Sequence, residues 1–325
     1  MRPIRINNSI KIRFEKLIDD ELDKYDSVLS KTRRNILELE DSLHRKCQIE
    51  VLNDITANFK EFILKTPEDQ EILVKLWGKK YPNLFYSIPK KGRRKSTNTF
   101  GQKILRALNY NAFRKEYADK IIDIIGLKTC PYCNAMLAIV VPNCKGKQVS
   151  RFQLDHYYPK SKYPLLSISL FNLIPSCGNC NIRKGRKNVK LSLDFHLYGI
   201  KTPLNAFKFK IPSSSVSTYL STNNIEDIEI DFENGIDADK KYAEHHDQSY
   251  DIQGIYNTQK DVVEELFWKA KAYNKSRIEE LSKILNLDKV QIKRMVIGSY
   301  IENEDIHKRP LTKFTQDIAR QLKLI

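Results

Sequence analysis

Apolar residues in the first eighty positions recur near helical spacing. Leu17, Ile18, Leu22, Tyr25, Leu29, Ile36, Leu37 and Leu43 mark that stretch, and the period predicts helices over residues 9 to about 80. Thr66-Pro67-Glu68-Asp69 reads as a helix start, a hydroxyl cap followed by proline at the first helical position. The pattern continues with one helix over residues 101–125, stopped by Gly126. Further on, Val262, Val263, Leu266, Phe267, Ala270, Tyr273, Ile278, Leu281 and Ile284 extend helical spacing across residues 258–287, and a last helix runs through Phe314, Ile318 and Leu322. Alternation replaces this period at residues 207–211 and 228–232, which read as strands. Residues 212–215, Pro-Ser-Ser-Ser, read as a turn or loop. The longest apolar run, residues 136–141, reads as a buried strand and falls far short of the roughly 20 residues of a membrane helix. No repeat or low-complexity segment appears.

The chain is therefore α+β. We expect a helical region over residues 1–100, a central unit over 101–200 and a mixed, mainly helical region over 201–325.

Charge changes the picture next. The 325 residues carry 56 Lys or Arg against 40 Asp or Glu, a formal net charge of +16. That excess favours a polyanion, most often nucleic acid; a solvated basic surface or an anionic membrane are the alternatives. Residues 89–97 form a basic loop with Arg93, Arg94 and Lys95, and the stretch 87–115 holds nine Lys or Arg and no acid. It is either a solvated linker or a phosphate-contacting loop. Residues 226–251 reverse the sign, with ten acids against two Lys; they face a basic surface or form a solvated rim. The first residues lack the apolar segment of a secretory signal, so a cytoplasmic location is expected. Six cysteines in such a chain argue for a metal site over disulfides.

Four of them pair as Cys130-Pro131-Tyr132-Cys133 and Cys177-Gly178-Asn179-Cys180, with 43 residues between the pairs. Two such knuckles can place four thiolates at the corners of a tetrahedron, the geometry of structural zinc. Cys144 reads as a spare buried thiol, and Cys47 and His44 as packing residues.

Between Asp123 and Asp194 lie 70 residues with eleven Lys or Arg and a single carboxylate, Asp155. His156 follows it and is the single histidine of that span. Both come after a strand-like segment and between the halves of the zinc site. Asn181, next to Cys180, falls in the first turn of a helix starting near Gly178. It is a helix cap or an oxygen ligand. Asp155 and Asn181 together offer two hard oxygen donors and leave room for water and phosphate, as Mg²⁺ or Mn²⁺ requires.

The order of these elements resembles the HNH endonucleases: first cysteine pair, Asp155-His156, Asn172, second cysteine pair, Asn181. That resemblance implies a ββα-metal core on a four-cysteine zinc site. It implies that His156 is the general base, that Asp155 and Asn181 hold the catalytic ion, and that Asn172 orders the hairpin and helps hold the base. The family more often has His where this chain has Asn181. The implied reaction is metal-dependent hydrolysis of phosphodiester bonds, most often in DNA. Lys160, Lys162, Arg183, Lys184, Arg186 and Lys187 would then hold neighbouring phosphates without reading sequence. Tyr157, Tyr158 and Tyr163 pack on sugars or in the core; His196, His245 and His246 have no assigned role. Residues 154–185, 254–273 and 308–313 also resemble the HNH proteins found beside ATPase partners in Septu-type and retron-linked phage defence. An RNA-cutting enzyme with the same site and a non-catalytic, zinc-stabilised DNA-binding module are the rival readings.

Overall fold

In a computed structural model of the chain, the described residues are 3–4, 6–24, 26–85, 99–137, 140–142, 148–150, 152–185, 196–200, 202–236 and 241–325. The N-terminal periodicity becomes α1 (Asn8–Leu22), α2 (Val28–Asp41), α3 (Lys46–Ala57), α4 (Phe59–Ile63) and α5 (Pro67–Lys80). Thr66 and Asp69 form a reciprocal capping box at α5, with Pro67 at the first helical position. The expected single helix over 101–125 is two, α6 (Thr99–Leu108) and α7 (Tyr110–Ile125). Asn109 separates them at φ 39°, and its side chain accepts from the amide of Ala112 to start α7. Asparagine tolerates the left-handed region because its short polar side chain can bond locally. Gly126, at φ 71°, ends α7 as expected.

Among the described residues three two-stranded antiparallel sheets follow. In the first, β1 (Val140–Pro142) pairs with β2 (Gln148–Ser150). Of the apolar run at 136–141, residues 140 and 141 enter this strand. Met136 and Leu137 are 47% and 55% exposed, because the backbone there closes the first cysteine knuckle through the Cys130 amide and the Met136 carbonyl. In the second, β3 (Gln153–His156) pairs with β4 (Leu173–Ser176), setting Asp155 opposite Ile174 and His156 opposite Leu173. Helix α8 (Gly178–Lys184) follows β4 directly. In the third, β5 (Phe207–Lys210) pairs with β6 (Asp231–Asn234).

The serine-rich segment after Pro212 is not a loop. It begins α9 (Ser213–Thr222). The hydroxyls of Ser217, Thr218, Ser221 and Thr222 donate to carbonyls four residues back, so they no longer compete with the helix. The C-terminal region continues through α10 (Tyr242–Tyr250), α11 (Ile252–Asn257), α12 (Lys260–Ala272), α13 (Lys275–Leu285), α14 (Lys289–Ile297) and α15 (Thr312–Gln321). The helical period over 258–287 is broken at Asn274, whose side chain caps α13. Helix α14 was not expected, although Asp288 and Gln291 form a capping box at its start.

Buried side chains from residues 10 to 324 pack into one continuous core. Phe14 of α1 meets Phe171 edge-to-face at 5.4 Å, and the Ile4 amide bonds to the Leu197 carbonyl. Helix α7 lies against β3. At the other end α15 covers β5: the Asp317 carboxylate accepts from the Phe209 amide and the Gln321 side chain from the Ile211 amide. Among the described residues, no helix is long and apolar enough to cross a membrane.

Candidate active site

The four cysteines come together. Their Sγ atoms lie within 4.8 Å of one another and all four residues are buried. Amides of Cys177, Cys180 and Ala135 point at the sulfurs of Cys130, Cys177 and Cys133, at 3.4–3.5 Å. A metal–sulfur bond of about 2.3 Å implies sulfurs about 3.8 Å apart, so the cluster suits a tetrahedral ion such as zinc. Hydrogen bonds from the neighbouring thiols push Cys133 down, while burial pushes Cys130 up. The cluster thus shares negative charge that a divalent cation would neutralise.

The first knuckle is held from outside by the C-terminal region. His246 Nε2 donates to the Tyr132 carbonyl at 2.7 Å, the Tyr256 hydroxyl to the Cys133 carbonyl at 2.7 Å, and the Leu311 amide to the Asn134 carbonyl at 2.7 Å. Asn134 turns the chain at φ 55°. Its Nδ2 donates to Thr129 Oγ1 and to the Ile306 carbonyl, and its Oδ1 accepts from the Lys313 amide. Three successive knuckle carbonyls are thereby satisfied inside the protein, which a buried turn requires. Residues 256 and 308–313, singled out in the sequence, are the clamp.

The second knuckle launches α8. Cys177 caps it, its Sγ accepting from the Cys180 amide. Helical spacing then lays Asn181 and Lys184, three apart, over the strand. Asn181 Nδ2 donates to Gln153 Oε1 at 2.6 Å. Lys184 Nζ donates to Asp155 Oδ2 and, at 2.7 Å, to the His156 carbonyl. Asp155 Oδ2 also accepts from the Tyr132 hydroxyl at 2.7 Å. Tyr132 stacks on Tyr250 of α10, with ring centroids 4.5 Å apart.

His156 is buried against the ring of Tyr110, 4.6 Å away. Its Nε2 lies 2.9 Å from the Ser167 carbonyl. A carbonyl only accepts, so the proton sits on Nε2 and Nδ1 keeps its lone pair. Burial, with the charges of Lys160 and Lys184, pushes the imidazole pKa down to about 3 despite the Ser167 bond. At neutral pH the ring is therefore an uncharged proton acceptor. Asn172 fixes the turn beside it. Its Oδ1 accepts from the Tyr158 amide at 2.7 Å, and its Nδ2 donates to the Leu166 and Tyr158 carbonyls at 2.8 and 3.2 Å.

Asp155 Oδ1 and Asn181 Oδ1 accept no protein hydrogen bond among the described residues. Both are hard oxygens, the donor type that Mg²⁺ or Mn²⁺ takes; Asn181 lies over Gln153 and Lys184 over Asp155, two positions on along β3. Lys160 and Lys162 are half-buried, and burial lowers both pKa values; Lys160 stands 4.2 Å over the Tyr110 ring. Arg183 is exposed and pairs with Asp251 at 3.4 Å. Lys184 departs from expectation: it is 1% exposed and bound to Asp155, so it is an interior cation and not a surface phosphate contact. Tyr157 and Tyr158 are core residues. Arg93, Arg94, Lys95, Cys144, Arg186 and Lys187 lie outside the described residues.

The sequence reading missed several members of this site. Tyr132 was legible as an aromatic inside the first C-x-x-C, but its bond to Asp155 was not. His196 is buried, packs on Tyr157 with centroids 3.7 Å apart, and accepts the Tyr198 amide at Nδ1. Burial, with Lys184 nearby, pushes its pKa down to about 3. A lone histidine so far along the chain from Tyr157 gives no signal of that contact.

A stretch of 62 residues is 34% identical to the Septu protein PtuB of Bacillus thuringiensis, covering 19% of this chain and 21% of that protein. No family profile and no solved structure matches the chain.

Proposed function

We propose that the chain is a metal-dependent endonuclease of the HNH type that hydrolyses phosphodiester bonds, with DNA as the substrate to test first. The observation that carries this reading is the pair at the end of β3: a buried carboxylate, Asp155, beside a histidine held neutral with its proton on Nε2. His156 Nδ1 would take the proton of a water attacking phosphorus, with the ring held by Ser167 and its turn by Asn172. A divalent ion, when bound at Asp155 and Asn181, would polarise the phosphate and stabilise the leaving oxygen. The cysteine cluster preorganises the site through α8, whose cap is Cys177, and through Tyr132. The partial similarity to PtuB supports a role in phage defence.

A second reading has a specific observation in its favour. Lys184 already neutralises Asp155, as it would in a zinc-stabilised nucleic-acid-binding module without catalysis. A nicking assay decides. Plasmid DNA with Mg²⁺ or Mn²⁺ should be cut by the wild type. His156→Ala should lower the rate by roughly 10²–10⁴-fold, the usual size of a general-base effect, and Asp155→Ala should abolish cutting. Binding without cutting would establish the module; cutting of RNA but not DNA, run in parallel, would change the substrate.

A further inference from the structure

Lys184 is the least exposed lysine described at the site, and its position is informative. Its stem runs through the interior from α8, and its ammonium reaches two neighbours on β3: Asp155 Oδ2 and the His156 carbonyl. Side-chain exposure of the ion pair is 1% for the lysine and 6% for the aspartate. A charge is buried this deeply only when it is paired. Asp155 has Tyr132 as a second donor on the same Oδ2, so the positive charge at this carboxylate comes from Lys184. The same carboxylate is the acid offered to a divalent ion, with Asn181 three residues before Lys184 on the same helix.

We propose that Lys184 is an internal competitor: a tethered cation on Asp155 Oδ2 that opposes a divalent ion on the same carboxylate and is displaced as the ion binds. This rests on the metal-site reading given above. The physical argument is one of sign. An ammonium and a divalent ion sharing one buried carboxylate repel strongly where water does not screen them. The rotamer order that Lys184 imposes on Asp155 is a smaller favourable effect. Removing the ammonium should therefore tighten ion binding, although it removes a bond from Asp155. The metal-free protein gains in the same way: the carboxylate is never left buried and unpaired.

The device has a functional consequence. A site that is neutralised in advance binds ions weakly and tolerates their absence without local unfolding. Ion occupancy then depends on a further gain from bound substrate phosphate, which would confine a competent site to the nucleic-acid complex.

The test measures ion binding without turnover. Mn²⁺ affinity of zinc-replete protein is followed by electron paramagnetic resonance. Lys184→Met should bind Mn²⁺ at least about 10-fold more tightly than wild type, because a like charge is lost from a poorly screened site. Lys184→Arg, which keeps the charge, should stay near wild type, and Asp155→Ala should lose the site. Equal or weaker binding by Lys184→Met with retained zinc overturns the proposal. If Asp155→Ala binds Mn²⁺ as the wild type does, the metal-site reading itself fails. A second measurement needs no variant: acylation of lysines in the wild type, mapped by mass spectrometry with and without saturating Ca²⁺. Lys184 should be protected without the ion and labelled with it. Labelling of Lys184 that does not change on saturation overturns displacement even if Lys184→Met fails to fold.

Discussion

Among the described residues two lysine–aspartate pairs are buried, and they differ in how the carboxylate oxygens are filled. In α15, Lys313 and Asp317 sit one turn apart, with side chains 7% and 5% exposed. Lys313 takes Asp317 Oδ1, and the Phe209 amide of β5 takes Oδ2. Both oxygens have protein donors, and burial and the lysine oppose each other on the Asp317 pKa, with burial prevailing upward. At β3, Lys184 and Tyr132 both crowd onto Asp155 Oδ2, and Oδ1 has no protein donor among the described residues. The first pair is closed and ties a helix to a sheet. The second is half-open and lies beside a neutral histidine. Burial and charge alone would rank the two pairs equally; the unfilled oxygen is what separates the proposed ion site from a strut.

The largest effect should fall on both pairs at once, because both hang from the same knuckle. Tyr132 holds Asp155, and Asn134 Oδ1 holds the Lys313 amide. Structural zinc contributes folding free energy of the order of 10 kcal/mol. Cys177→Ser should therefore lose about one zinc per chain and cooperative unfolding together, measured by metal analysis and thermal melting. A variant that keeps its fold and activity without the ion would dissociate the knuckle from both pairs.

Removing single carboxylates should then separate them. Asp317→Ala leaves a buried ammonium and the Phe209 amide without partners, and breaking such a pair costs about 3–5 kcal/mol. Its urea midpoint should drop while Mn²⁺ binding persists in the folded fraction. Asp155→Ala faces a comparable cost at Lys184, and it should also lose Mn²⁺ binding. If folded Asp317→Ala loses the ion as well, the distinction between open and closed pairs fails.

Much of this was readable beforehand where the signal is local. The cysteine spacing identified a cluster that the fold brings within 4.8 Å, and the cap at Thr66 and the stop at Gly126 are where the residues place them. The lone carboxylate and histidine between the knuckles are neighbours on one strand beside α8. What escaped was non-local or depended on competing local preferences. Lysine at 184 looks like any basic residue in a basic stretch, and only the approach of α8 to β3 shows that it points inward. Residues 308–313 stood out in the sequence, but their docking on Asn134 joins positions as much as 179 apart. The serines after Pro212 read as a turn because free hydroxyls compete with helix formation; here they bond back to the helix itself.

Acid should probe the surroundings of the two pairs more gently. His196 lies near Lys184 at the open pair, and His246 bonds to the Tyr132 carbonyl in the knuckle that anchors both pairs. Burial pushes both pKa values down to about 3, against about 6.5 in an unfolded chain. Above about pH 6.5 both states are neutral and nothing changes. Below it the unfolded chain takes up protons that the folded protein refuses, so stability falls as pH drops from about 6.5 toward 3. The slope is about 1.4 kcal/mol per pH unit for each histidine, or about 2 kcal/mol each by pH 5. Urea midpoints at pH 7 and pH 5 should show the loss. His196→Gln and His246→Gln should each remove about a third of that difference, because His156 is held neutral in the same way and contributes an equal share, whatever they do to stability at pH 7. Because the charge of Lys184 acts on His196 and is absent from the causes at His246, ions that displace it from Asp155 should alter the share of His196 in the acid sensitivity more than that of His246. An equal response of both histidines to Mn²⁺ would mean that the effect travels through Tyr132 and the knuckle and not through the charge of Lys184.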